Sequence, residues 1–289
     1  MSISTNTMHD KICLVTGATS GMGKETARAL ATMSATVVMV GRNRERGEAA
    51  QREIRESSGN EKVDLIVADL SSQTGVHKAA EEFLAKYDKL HVLVNNAGGV
   101  FSKRETTVDG LEMTFALDHL AYFLLTNLLL DTLKRSAPAR IVNISSGAEA
   151  TGKINFDDLQ GEKKYSAFAA YSQAKLANVL FTYELARRLA GTGVTVNAVT
   201  PGPVLTNFGQ NNGGLYKLIV PVFSVFGLSA EQGAQTAIWL ASSAKAAGIT
   251  GKAFYRLKEK HTSVRSHNVA TQRRLWDASA ELTKMPVHV

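Results

Sequence analysis

The chain has 289 residues, 44% of them hydrophobic and 20% charged, a composition that can bury a large core and that excludes a disordered or fibrous class. Its formal charge of +7 is scattered, without the interleaving of aromatic and basic residues that marks a nucleic-acid surface, so no nucleic-acid partner is expected. Cys13 is the single cysteine, which rules out an intrachain disulfide and makes a reducing compartment the default.

The first residues, MSISTNTMHD, are polar and lack a charged head followed by an apolar run, so no secretory signal is expected. No apolar run reaches the roughly 18 residues of a membrane span. The expectation is a cytoplasmic protein without an integral anchor, with peripheral membrane contact still open.

The first predicted strand is ICLVT at 12–16, where Cys13 packs as a small hydrophobe. TGATSGMGKE follows, with Gly17, Gly21 and Gly23 opening a helix predicted over 22–33. Glycines there let the backbone approach a pyrophosphate, and the free amides of a helix N-terminus favour its charge. Lys24 does not make this a Walker A loop, because Met22 stands where its second glycine belongs and Glu25 where its Ser or Thr belongs. The second strand, TVVMV at 36–40, ends in Gly41 and Arg42. An acid at that tip would bind the ribose hydroxyls of NAD. Arg42 can instead grip a 2′-phosphate through paired charge-assisted bonds, which favours NADP(H).

Farther along, a helix is predicted at 44–57, a strand at 63–68 (VDLIVA), a helix at 72–86 and a strand at 91–95 (HVLVN). A long helix over 107–135 leads to the strand RIVNIS at 140–145, a helix over 165–190, the strand VTVNAV at 194–199 and a seventh strand at 252–256. The strands are short, Val/Ile-rich and apolar on both faces, as a parallel sheet covered on both sides requires. Helices of crossover length join them. The fold class is therefore α/β: a single doubly wound parallel sheet of Rossmann type, about seven strands, with helices on both faces and one domain over 1–289.

Residues 203–228 break this rhythm with a polar, Gly-rich part and then an apolar one that carries Leu215, Tyr216, Leu218, Ile219, Val220, Val222, Phe223, Val225 and Phe226. They read as a lid over a lipophilic substrate, or as a surface resting on a membrane with Lys217 at its edge.

YSQAK, on the 165–190 helix, spaces Tyr171 and Lys175 four residues apart and so places them on one face. A free tyrosine titrates near ~10. An ammonium ~5 Å away, at an effective dielectric of ~20, attracts the phenolate by about 3 kcal/mol, worth about two pKa units. Tyr171 is thus a candidate general acid/base with Lys175 as its tuner.

Taken in order, TGATSGMG, ADL at 68–70, NNAG at 95–98, NISS at 143–146, YSQAK and PGPVLT at 201–206 resemble the short-chain dehydrogenase/reductase family across nearly the whole chain. NFDDLQGEKKYSAFAAYSQAKLANVLFTYELARRL and RRLWDASAELT resemble its retinol dehydrogenase-like branch, which implies an NADP(H)-dependent oxidoreductase for lipophilic alcohols and carbonyls. By that resemblance Gly17, Thr19, Ser20, Gly21, Met22 and Gly23 form the pyrophosphate turn, Asp69 and Leu70 border the adenine, and Asn96 and Ala97 lie beneath the adenosine ribose. Pro201, Val204 and Thr206 hold the nicotinamide amide, and Lys175 also holds the nicotinamide ribose beside Tyr171. Ser146 supplies the hydrogen bond to the substrate oxygen, with Ser145 as a structural neighbour. No metal is implied. The resemblance also implies a homodimer or homotetramer, and the apolar AYFLLTNLLL run is expected to pair across a two-fold axis.

In MTFALDHLAYFLLT the family pattern carries Asn before His-Leu, whereas this chain has Asp118. A carboxylate there can accept the same bonds as the family's relay asparagine. If ionised, it also stabilises Lys175 as ammonium and partly cancels its field at Tyr171. From another class, a catalytically silent NADP(H)-binding sensor on the same fold is the competing reading. An epimerase fits less well, because the glycine spacing differs from G-x-x-G-x-x-G.

Overall fold

The computed structural model describes residues 7–202 and 227–286. Its strands are β1 (Ile12–Thr16), β2 (Thr36–Gly41), β3 (Val63–Val67), β4 (Val92–Asn95), β5 (Ala139–Ile144), β6 (Val194–Val199), β7 (Lys252–Tyr255) and β8 (Lys258–Glu259). They form one sheet in the order β3-β2-β1-β4-β5-β6-β7-β8. All neighbouring pairs are parallel except β7–β8, a two-residue antiparallel edge strand absent from the sequence-based expectation. So short a strand leaves no periodicity to read.

Along β1 the side chains alternate between two cores, as period-2 geometry dictates. Leu14 faces one, with Val38, Phe123, Phe181 and Trp276. Cys13 and Val15 face the other, with Leu30, Ile54 and Leu240. The first core lies under α3 (Gln73–Lys86), α5 (Ala121–Leu128), α7 (Ala167–Arg188) and α9 (Val269–Thr283). The second lies under α1 (Gly21–Thr32), α2 (Arg44–Ser58) and α8 (Ala230–Ser242). Strand order reverses between β1 and β4, and the carboxyl ends of those strands form the crevice where open α/β sheets bind ligands.

The helix expected over 107–135 is not continuous. Residues 107–111 form a turn closed by Thr107 N–H to Leu111 O. Glu112 then accepts the amides of Thr114 and Phe115 at 2.8 and 2.7 Å and starts α4 (Met113–Phe115). A π-helical turn, Ala116–Leu120, follows, then α5 and α6 (Leu130–Arg135). The apolar AYFLLTNLLL run is largely buried within the chain, so its composition is accounted for without a second copy. Of the lid-like segment, residues 203–226 lie outside the described residues.

Candidate active site

The crevice between β1 and β4 is tied together by Thr16. Its hydroxyl accepts the amides of Asn96 and Ala97 at 2.8 and 3.0 Å, and Asn96 Nδ2 donates to Thr16 O at 2.9 Å. The two predicted cofactor positions after β4 therefore sit directly against the glycine turn after β1. Gly17 holds φ +63°, and a Cβ on Gly23 would lie 2.3 Å from Gly17 O and 2.4 Å from Asn96 Nδ2. Side chains are thus excluded where β1 enters α1. Ser20, the residue before α1, makes no side-chain cap, and the first turn has no acid. By contrast α2, α3, α7, α8 and α9 are capped by Asn43, Ser72, Ser166, Ser229 and Asn268. An uncapped N-terminus behind a glycine turn suits a diphosphate.

Arg42 is exposed just past the end of β2. Asp69 Oδ1 accepts the Ser71 amide at 3.0 Å and the Ser71 hydroxyl at 2.8 Å, shaping the turn after β3, while Leu70 is buried. Pro201 is half-buried just past β6. Val204 and Thr206 lie outside the described residues.

On the other side of the crevice, β5 ends in Ser145 and Ser146. Ser145 is buried and donates to the Lys175 carbonyl at 2.8 Å. Ser146 is half-buried, and its hydroxyl accepts the Ala148 amide at 3.3 Å at the start of a 3₁₀ turn (Gly147–Thr151). The Ser145 hydroxyl is thus occupied within the fold. α7 supplies Tyr171 and Lys175, and the Lys175 ammonium lies 5.4 Å from the centre of the Tyr171 ring. The same ammonium is 5.9 Å from the ring centre of Tyr122, which is fully buried.

Asp118 is completely buried on the π turn, with Oδ2 2.8 Å from Lys175 Nζ and Oδ1 accepting the Gly99 amide at 2.7 Å. Gly98 makes room for it, since a Cβ there would lie 3.0 Å from Asp118 Oδ2. Burial opposes the charge on Lys175, and the Asp118 carboxylate more than offsets it, holding the ammonium above the ordinary lysine range. Burial raises the Asp118 carboxyl, while Lys175 and the Gly99 amide pull it down. Whichever partner holds the shared proton, the pair has no net charge.

Sequence reasoning did not single out Gly99, Tyr122, His119 or Asn178. Asn178 donates to Asp118 O at 2.8 Å and to Ile144 O at 3.2 Å. The one available signal was its place three residues after Lys175, as a lone amide in an apolar stretch of helix.

A family model described as short chain dehydrogenase matches residues 11–214. The chain belongs to the short-chain dehydrogenase family. It is 47% identical over 272 residues to mouse (Mus musculus) retinol dehydrogenase 12, covering 94% of this chain and 86% of that protein. Among solved structures, an uncharacterized protein from Mycobacterium paratuberculosis is 33% identical with a TM-score of 0.79, over 97% of this chain and 96% of that one. The Pseudomonas aeruginosa RhlG/NADP active-site complex is 28% identical with a TM-score of 0.69, over 86% of this chain and 96% of that one. As a short-chain dehydrogenase the protein is an oxidoreductase of a family that uses nicotinamide cofactors. Among the described residues no helix is long and apolar enough to cross a membrane. A surface hollow of about 1570 Å³ opens at the amino ends of the strands beside His91, Arg140, Thr195 and Trp239, and it shares no residue with this site.

Proposed function

We propose that this short-chain dehydrogenase interconverts a lipophilic alcohol and its aldehyde or ketone with NADP(H), Tyr171 acting as general acid/base. The observation that carries the reading is the buried ammonium of Lys175, 5.4 Å from the Tyr171 ring. At that range, and at an effective dielectric of ~20, the ammonium favours the phenolate by about 3 kcal/mol and the Asp118 carboxylate beside it offsets about 2 of that, so a net pull of about 1 kcal/mol remains toward the form a tyrosine must take to cycle protons near neutral pH. Ser146 hydrogen-bonds the same substrate oxygen, and the resulting pair of donors stabilises the charge that develops there. Asp118 holds Lys175 in place and takes the part of a relay carboxylate.

NADP(H) supplies the hydride when bound. Gly17, Thr19, Ser20, Gly21, Met22 and Gly23 hold its diphosphate at the open N-terminus of α1, and Arg42 meets the 2′-phosphate. Asp69 and Leu70 border the adenine, Asn96 and Ala97 the adenosine ribose. Lys175 and Tyr171 contact the nicotinamide ribose, and Pro201, Val204 and Thr206 the nicotinamide amide. The uncapped α1 and the exposed Arg42 support this assignment. A retinoid-like substrate is supported by the name of the mouse relative.

The test is a panel of hydrophobic aldehydes and ketones, retinal included, assayed with NADPH and NADH in wild type and Tyr171→Phe. Wild type should turn over with NADPH preferred. Loss of the phenol should cost about 10³-fold in kcat, the scale of one general acid/base. Turnover that survives Tyr171→Phe overturns the mechanism. NADPH binding without turnover on any member of the panel would favour a silent cofactor sensor.

A further inference from the structure

Asp118 and His119 are neighbours on the π turn, and their side chains leave it in different directions. Asp118 goes to Gly99 and Lys175. His119, completely buried, is held between two helices: its Nδ1 lies 3.2 Å from Asn178 Oδ1 on α7, and its Nε2 lies 2.9 Å from Ser279 Oγ on α9. Both amide donations of Asn178 go to carbonyls, those of Asp118 and Ile144. The oxygen of Asn178 therefore faces His119 as an acceptor. That assigns the ring proton to Nδ1 and makes Nε2 an acceptor; the Ser279 hydroxyl has one proton and two acceptors in reach, Nε2 at 2.9 Å and Leu275 O at 2.7 Å, and donates to one of them at a time. Phe115 at 5.0 Å and Phe181 at 6.2 Å between ring centres flank the imidazole.

A π turn is an uncommon geometry that needs support from outside its own backbone. If it relaxed to α-helix, residues on one side would rotate by about 100° about the axis, one residue's share of a turn. That rotation would carry the Asp118 carboxylate off Lys175. Among the described residues, the His119–Ser279 contact is the hydrogen bond that ties the C-terminal helix to this turn. α9 is itself anchored by Trp276, which packs on Phe123 and Phe181 at 4.9 and 5.8 Å between ring centres.

We propose that His119 is a positioning residue: bonded to α7 through Asn178 and to α9 through Ser279, it locks the π turn that presents Asp118 to Lys175, so the seating of the C-terminal helix governs proton transfer at Tyr171. This rests on the proton-transfer reading given above. The titratable groups facing the ion pair are Tyr171 on α7, Tyr122 on α5, Glu112 before α4 and His119 itself, which feels the Lys175 charge. Of these, only His119 touches Ser279 among the hydrogen bonds of the described residues.

Two hydroxyls on α9 provide a matched comparison. Ser279 and Thr283 are both buried, and each hydroxyl also has the carbonyl four residues back within reach, at 2.7 and 2.6 Å. Ser279 touches His119 and Thr283 does not. Ser279→Ala should lower kcat about threefold or more, leave the cofactor KM unchanged, and move the midpoint of the kcat–pH profile in the same direction as Asp118→Asn. Ser279→Thr should restore both. Thr283→Ala should leave both within about twofold.

An activity-free arm uses urea unfolding of Ser279→Ala, Asp118→Asn and the double variant. Their effects should be non-additive by a factor of about three or more in the unfolding equilibrium, whereas Thr283→Ala with Asp118→Asn should add. If Ser279→Ala and Thr283→Ala give the same pH profile, or if both unfolding cycles add, the proposal falls. Turnover surviving Tyr171→Phe would instead remove the proton-transfer reading and leave the unfolding cycle to decide the positioning role.

Discussion

Replacing Asp118 by asparagine keeps the shape and the Gly99 bond and removes one charge. Lys175 Nζ lies 5.4 Å from the Tyr171 ring centre, where a unit charge at an effective dielectric of ~20 attracts a phenolate by about 3 kcal/mol. The Asp118 oxygen is 2.8 Å from that nitrogen, so it lies within about 8 Å of the same ring and opposes the attraction by at least about 2 kcal/mol. The net field on Tyr171 is then about 1 kcal/mol or less. Asp118→Asn should release about 2 kcal/mol, lowering the Tyr171 midpoint by about 1.5 pH units. The proposed mechanism needs Tyr171 as a phenolate in alcohol oxidation, so the acid limb of kcat against pH should move down by that amount; in carbonyl reduction the alkaline limb should move down likewise. The assay is initial rate from pH 5 to 10 at 25 °C, in both directions, checked for folding because breaking a buried pair costs about 3 kcal/mol. An unmoved midpoint would refute the reasoning. So would a rise, which would mean that the carboxylate serves mainly to keep Lys175 protonated.

Gly98→Ala places a methyl 3.0 Å from Asp118 Oδ2, and should shift the same pH profile while leaving NADPH affinity, measured by fluorescence, within about threefold. Arg42→Ala should raise the KM for NADPH about tenfold and leave that for NADH unchanged, the loss of roughly one charge-assisted phosphate contact. Burial lowers His119 from its ordinary 6.5 to about 4. Its contribution to stability is therefore complete above pH ~6.5 and drains away as the pH falls toward ~4, with about 2 kcal/mol lost between pH 7.5 and 5. Urea midpoints should consequently fall more steeply over that range in wild type than in His119→Gln. Burial pushes the Cys13 thiol up to about 12, so iodoacetamide at pH 8 should label it only in denaturant, and labelling of the folded protein would contradict its burial between β1 and the helices that cover it.

The strands were readable because both faces of the sheet are covered, which turns each into an unbroken apolar run such as TVVMV. The crossover helices α2 and α3 were readable from their length between strands, and they form close to the expected 44–57 and 72–86. The 107–135 region was not. It starts on a glutamate cap after a turn, and a π turn shifts its periodicity, so a single helical pattern drawn through it is wrong in phase. Asp118 stood out as a departure from the family pattern, and the structure places it against Lys175. His119 and Asn178 went unnoticed because the contact between them spans 59 residues of sequence, and neither residue type is unusual in a helix.

α1 begins on bare amides, whereas among the described residues every other long helix that starts after a loop spends a side chain there. Such an omission costs a protein about 1 kcal/mol when nothing fills the place. A dinucleotide that fills it at a hundred times its dissociation constant returns about 2.7 kcal/mol. The empty protein is accordingly the softer one, easier for proteases and heat to open, and its lifetime rises and falls with the supply of whatever occupies that helix end.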